Sequence, residues 1–240
     1  MGQLIKAISP KELDSIDVSN IKGILIDIDD TLYSYKDAHK AALIDCYTAF
    51  TILPKTHKKL TKILEISLND FQTLYLVSRQ AVYASLTPQC SCRSRLLAFK
   101  NLFEELVDVS DQNLSYQLAL QFENIYWNSL IENMKPNNEV ASFLEKKFLD
   151  GLKICAVSDM QTSIQIRKIL KLNLHKFIPY LVTSEEAGIE KPHSKIFDLA
   201  LSKIKLPPSK VIMIGDSYLK DYEGATQLGI QSFLIDLNAD

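Results

Sequence analysis

The sequence predicts an α/β protein: a three-layer fold in which a parallel sheet carries helices on its faces and accepts an inserted helical domain. Three observations predict it. Five short apolar runs have the length and content of strands buried on both faces, and helical segments separate the last four of them. Roughly a hundred residues after the first run hold helical periodicities and no comparable strand.

The first run is Gly23 to Ile28, GILIDI. The others come after residue 150: Lys153 to Ser158, Phe177 to Thr183, Val211 to Ile214 and Gln231 to Ile235. Helices are expected at Glu139 to Leu149 before Gly151, Thr162 to Leu172, His193 to Lys205 before Pro207 and Pro208, and Asp221 to Leu228 before Gly229. Strand, helix, strand at this rhythm gives a parallel sheet. Within the insert, Leu43, Tyr47 and Phe50, then Leu96, Phe99, Phe103 and Leu106, then Leu114, Leu118, Phe122 and Ile125 recur at helical spacing. The expected division is 1–32 core, 33–135 helical domain and 136–240 core, with Asn133 to Asn138 as the return linker.

Composition supports a globular chain and limits its partners. Of 240 residues, 47% are hydrophobic and 23% charged, enough to fill a core and wet a surface. Basic residues number 27 against 29 acidic ones, a net charge of −2, so no broad basic surface is available for nucleic acid. No stretch approaches the ~18 apolar residues of a membrane span, and MGQLIKAISP has no signal-peptide core. A cytoplasmic protein is expected, with neither nucleic acid nor membrane as partner. Cys46, Cys90, Cys92 and Cys155 are too few for a disulfide framework, and the close pair Cys90 and Cys92 lacks the second pair that a zinc site needs.

Ligands of open parallel sheets bind at the carboxyl ends of the strands, and the conspicuous polar residues fall there. In ILIDIDDTL, Asp27 and Asp29 sit at i and i+2 of an extended segment, so both can face one ligand, although an Asp-rich turn capping the next helix is equally ordinary. Two such carboxylates repel unless a cation or a proton intervenes. Ser158 and Asp159 follow the second strand, where a hydroxyl and backbone amides make an anion cradle or simply an N-cap. Lys191 lies just before Pro192 in GIEKP and supplies positive charge at an acidic edge. The fourth strand ends in Gly215, Asp216, Ser217 and then Asp221. Oxygen donors of Asp27 and Asp216 with a backbone carbonyl suit Mg²⁺.

The order of ILIDIDDTL, Ser158 in AVSD, Lys191 in EKP, and GDSYLKD resembles the four motifs of the haloacid dehalogenase-like hydrolase superfamily. The helical insert resembles the cap of its phosphoglycolate and sugar-phosphate phosphatases. The resemblance implies a Rossmann-like core and a Mg²⁺-dependent phosphatase acting on a small organic phosphate ester, such as a sugar phosphate, through an aspartyl-phosphate. By position it makes Asp27 the nucleophile and Asp29 the general acid then base. Thr31, Ser158 and Asp159 become phosphate-side residues, and Lys191 neutralises the phosphoryl group and orients Asp27. Asp27, Asp29 and Asp216 form the metal site, and Asp221 and Ser217 support it. The sequence departs from the pattern at Lys220, where many relatives carry Asn, and at the extra acid Asp30.

Other activities of the same motifs are a phosphoryl-transferring mutase and a carbon–halogen hydrolase, and a non-catalytic small-ligand binder stands outside them. Asp29 weighs against the dehalogenase, whose chemistry needs no protonated leaving group. A phosphonate-cleaving activity would need a cap lysine such as Lys55, Lys58, Lys59 or Lys100. Tyr33, Tyr35 and Arg79 are candidates for meeting the organic group, whereas Arg93 and Arg95 are expected to face solvent at a helix start. A monomer or homodimer is expected.

Overall fold

A computed structural model of the chain describes residues 7–57, 60, 63 and 65–239. Lys58 and Lys59, and the first six residues, lie outside the described residues. The remaining contacts divide the chain into two compact units. One holds residues 1–35, 88–90 and 134–240, and the other holds 36–87 and 91–133.

The first unit is built on five parallel strands: β1 Gly23–Ile26, β2 Lys153–Ser158, β3 Tyr180–Thr183, β4 Val211–Gly215 and β5 Gln231–Leu234. Their order is β3-β2-β1-β4-β5. Gly23 stands opposite Lys153 and Val211, and Ile26 opposite Ala156 and Ile214, so β1, β2 and β4 start level and Asp27, just past β1, lies beside the carboxyl ends of β2 and β4. β1 is shorter than the apolar run that predicts it, because the chain leaves the ladder after the Asp27 N–H bond to Ile214 O. The third strand starts at Tyr180 rather than Phe177, since the Ile178 N–H is taken by the turn to Leu174 O.

The helices are α1 Tyr35–Thr56, α2 Leu68–Leu86, α3 Arg95–Leu106, α4 Gln112–Glu132, α5 Asn138–Leu149, α6 Thr162–Lys171, α7 Ser184–Ala187, α8 Ser194–Ile204 and α9 Gly224–Thr226. Right-handed crossovers fix their faces: the chain moves one way along the sheet through α5 and α6 and the other way through α8 and α9. The α8–α9 side closes over Leu25, Cys155, Val157, Val211 and Met213 with Ile196, Phe197, Ala200 and Ala225. The alternate residues Ile24, Ile154, Ala156 and Ile212 are equally buried on the other face. This is a three-layer α/β core. The helix expected from Asp221 is instead a π-helical turn, Tyr218–Glu223, running into α9.

The second unit holds α2 to α4 and nearly all of α1. Its centre is aromatic: Phe50, Phe71, Phe99, Phe103 and Phe122 are fully buried, with ring centroids of neighbouring pairs 4.8–6.4 Å apart. Arg95 corrects an expectation here. It is 2% exposed, and its guanidinium lies 5.3 and 5.4 Å from the rings of Tyr126 and Trp127. A planar, weakly hydrated cation can be buried against aromatic faces, so a basic residue at a helix start need not face solvent. Arg93 sits over the Tyr83 ring at 5.2 Å. Cys90 and Cys92 lie in a single 3₁₀ turn, Cys46 and Cys155 are buried, and no disulfide joins any of the four. Among the described residues no helix is long and apolar enough to cross a membrane.

Candidate active site

Asp27 is the first residue beyond β1, and its N–H still donates to Ile214 O at 3.0 Å. That bond aims the carboxylate off the sheet end between β2 and β4. Lys191 reaches the same place, with Nζ donating to Asp27 Oδ1 at 2.6 Å, Asp221 Oδ1 at 2.6 Å and Val157 O at 3.0 Å. Three acceptors satisfy three ammonium protons. Burial alone would lower the Lys191 pKa, but the charges of Asp221 and Asp27 outweigh it and hold the group above the usual lysine range.

Gly215 makes room for this grouping. A Cβ there would stand 2.4 Å from Asp221 Cγ, so only glycine lets that carboxylate lie against the end of β4. The Ser217 N–H then donates to Asp221 Oδ2 at 3.0 Å, and the Ser217 hydroxyl caps the π-helical turn by accepting from Lys220 N.

Asp27, Asp216 and Asp221 each offer an oxygen within 4.8 Å of the others. Burial pushes the Asp27 carboxyl well above its ordinary value; Lys191 opposes this, and Asp221, Asp216 and Asp29 add to it. Asp216 is exposed on one side, yet the protein around its carboxyl, followed by the charge of Asp221, raises it to about 7. Carboxylates held this close need protons or a cation between them, and an all-oxygen donor set fits a hard divalent ion. The Asp29 carboxylate, expected to share this set, stands outside the trio and is held by a buried ammonium.

That ammonium is Lys168, in α6 and fully buried, with Nζ 2.6 Å from Asp29 Oδ1 and 2.8 Å from Oδ2. The Tyr33 hydroxyl also donates to Asp29 Oδ1. Burial would raise the Asp29 pKa, but the Lys168 charge and the hydrogen bonds of Lys168, Tyr33 and Gln165 bring it below the usual carboxylate value. Asp30 turns the loop through φ 56°, a left-handed conformation that Asp tolerates, and its Oδ1 accepts from Tyr35 N at 2.8 Å. Thr31 Oγ1 is buried with no hydrogen-bond partner among the described residues. Ser158 is also buried, and its Oγ accepts from Gln165 Nε2 at 2.6 Å.

Asp159 serves the loop of Lys191. Its Oδ1 accepts from Lys191 N at 2.8 Å, and its Oδ2 accepts from Lys220 Nζ at 2.7 Å. Lys220 also reaches Glu190 Oε2 at 2.9 Å, so this lysine ties the second, third and fourth strand-end segments together. Lys168, Gln165 and Glu190 were not candidates from sequence. The one signal for Lys168 is its place in α6 on the buried stripe with Ile164 and Ile169, where an apolar residue is expected.

Comparison with known proteins agrees with this geometry. The family described as "haloacid dehalogenase-like hydrolase" matches residues 21–229. A ribulose-1,5-bisphosphate 5-phosphatase of Halopiger xanaduensis is 27% identical over 217 residues, covering 89% of this chain and 84% of that protein. A glyceraldehyde 3-phosphate phosphatase of Methanothermobacter thermautotrophicus is 28% identical over 222 residues, covering 90% and 85%. Among solved structures, a 2-haloacid dehalogenase from Pseudomonas syringae pv. Tomato superposes with a TM-score of 0.67 at 19% identity, covering 89% of this chain and 86% of that one. With strand-end motifs, a parallel core and a family match spanning most of its length, the chain belongs to the haloacid dehalogenase-like hydrolases.

Proposed function

We propose that the protein is a Mg²⁺-dependent phosphatase that hydrolyses a small sugar phosphate through a phosphorylated Asp27. The observation that carries this is the convergence of Asp27, Asp216 and Asp221 with Lys191 at one sheet end. Asp27, Asp216 and a neighbouring backbone carbonyl would hold the ion, whose chemistry there is to offset phosphate charge as the nucleophile approaches. Asp221 supports it and holds Lys191.

The remaining steps belong to side chains of the chain. A carboxylate oxygen of Asp27 attacks phosphorus as the bond to the ester oxygen breaks, and Asp29, which Lys168 holds in its ionised form and which therefore takes up a proton from solvent before this step, passes that proton to the departing alkoxide. A water then loses a proton to Asp29 and attacks the same phosphorus, which releases inorganic phosphate and restores Asp27. Lys191 holds negative charge beside the nucleophile, and the hydroxyls of Thr31 and Ser158 bond the phosphoryl oxygens. The orphaned Thr31 Oγ1 supports that role.

The substrate class rests on the relatives, whose names specify ribulose bisphosphate and glyceraldehyde 3-phosphate. Residues 33–135 are the proposed cap that selects the organic group, and the proposed setting is the cytoplasm, as a monomer or homodimer. Asp29 favours phosphatase over dehalogenase because an alkoxide needs a proton and a halide does not. A panel of small phosphate esters with and without Mg²⁺ tests the proposal. Free phosphate released only with the cation is expected. A rearranged sugar phosphate would indicate a mutase, and no turnover of any ester would remove the assignment.

A further inference from the structure

Lys168 has a surrounding that packing alone does not require. It occupies the buried stripe of α6 between Ile164 and Ile169, is 0% exposed, and places its ammonium on both oxygens of Asp29 at 2.6 and 2.8 Å. A buried ammonium is costly unless paired, and an apolar side chain of similar length would fill the same stripe without that cost. The surroundings are built around the contact. The Nζ lies 5.8 Å from the ring centroids of both Tyr33 and Tyr35, and the Tyr33 hydroxyl donates to the same carboxylate. One turn earlier on α6, the fully buried Gln165 gives its amide to Ser158 Oγ at 2.6 Å and stands 3.5 Å from Asp29 Oδ2. A single helix face therefore touches the end of β2 and the acid that follows β1.

We propose that Lys168 is a positioning residue that fixes the Asp29 carboxyl for proton exchange with the leaving group, with Gln165 keeping Asp29 and Ser158 in register. This rests on the assignment of Asp29 as acid and base in the proposed function. Both oxygens are gripped from one side, so the carboxyl has one orientation rather than several. A displacement of about 1 Å in such a group costs on the order of 10²-fold in rate. The loss falls where the proton is needed most. An alkyl phosphate depends on Asp29 to protonate its alkoxide, whereas p-nitrophenolate leaves without help.

The test compares kcat and KM of the wild type, Asp29→Asn, Lys168→Met, Lys168→Arg and the double variant Asp29→Asn/Lys168→Met. The substrates are glyceraldehyde 3-phosphate and p-nitrophenyl phosphate, with saturating Mg²⁺ and circular dichroism as a check of folding. Lys168→Met is expected to lower kcat about 10²-fold on the alkyl ester and less than about 3-fold on the aryl ester, with KM little changed. Lys168→Arg should recover most of the alkyl rate, and the double variant should lose no more than Asp29→Asn alone. The double variant buries neither charge and so remains informative if Lys168→Met alone fails to fold. Equal losses on the two esters, or a double variant slower than Asp29→Asn, would overturn the role of Lys168. If Asp29→Asn itself shows no preference between the esters, the assignment of Asp29 fails first, which separates the two outcomes.

Discussion

At the scale of single residues, the site is a problem of charge. Several aspartates stand near one sheet end, and the chain answers Asp27 and Asp221 with the buried ammonium of Lys191, Asp29 with Lys168 and Asp159 with Lys220. Lys191 and Lys168 are not interchangeable: Lys191 binds Asp27 and Asp221, and Lys168 binds Asp29. Asp216 is pushed up by the protein around its carboxyl and then by the Asp221 charge, with Lys191 opposing. Because its carboxyl sits at about 7, protons compete with a divalent ion as the pH falls below that value. The Mg²⁺ concentration for half-activation should therefore rise steadily from pH 8 to pH 5.5, and a constant value across that range would contradict the placement of Asp216 in the cation site. Asp27, Asp29, Lys191 and Asp216 were legible in the sequence because strand-end position and spacing set where a side chain points. Lys168 was not, since nothing local distinguishes a lysine on an apolar stripe that finds a carboxylate from one whose stem lies along the surface.

At the scale of elements, backbone geometry decides what the side chains reach. Gly215 ends β4, and a methyl group there collides with the Asp221 carboxylate at 2.4 Å. Gly215→Ala should therefore displace Asp221 from Lys191, lower stability by about 1–3 kcal/mol and remove most turnover. Chemical denaturation and phosphate release check this together, and a variant with wild-type values in both would show that the end of β4 has slack. The helical unit depends on a different contact. Arg95 lies buried against Tyr126 and Trp127, so Arg95→Ala should destabilise that unit by about 2 kcal/mol or more, read as a lower thermal midpoint. Sequence periodicity identified the helix carrying Arg95 but misjudged its direction, because hydropathy counts a guanidinium as polar and takes no account of aromatic faces waiting for it. The π-helical turn at Tyr218–Glu223 escaped for a related reason: its Asp221 carboxylate accepts from the Ser217 N–H nearby and from Lys191 thirty residues away, and the second contact is not written in local sequence.

At the scale of the whole molecule, folding depends on pH through the same carboxylates that the proposed cation would occupy. Asp216, and Asp27 with it, has a folded-state pKa above the unfolded one. Such groups favour the folded state at low pH, and that contribution is lost as the pH rises from the ordinary 3.8 toward about 7. Over this window the thermal midpoint without divalent cation should decline from these groups, Mg²⁺ should restore it at neutral pH, and Asp216→Asn should flatten both effects. The parallel sheet and the strand-end placement of the motifs were legible from five buried runs alternating with helices, whereas the strand order was not, because it depends on which way each crossover turns. The most direct test of the central claim is the steady-state release of inorganic phosphate from glyceraldehyde 3-phosphate with Mg²⁺, wild type beside Asp27→Asn. A loss of at least about 10³-fold in a variant that melts as a folded protein is expected for a carboxylate that attacks phosphorus itself. A variant that keeps a tenth or more of the rate, on the order of the starting activity, would contradict it.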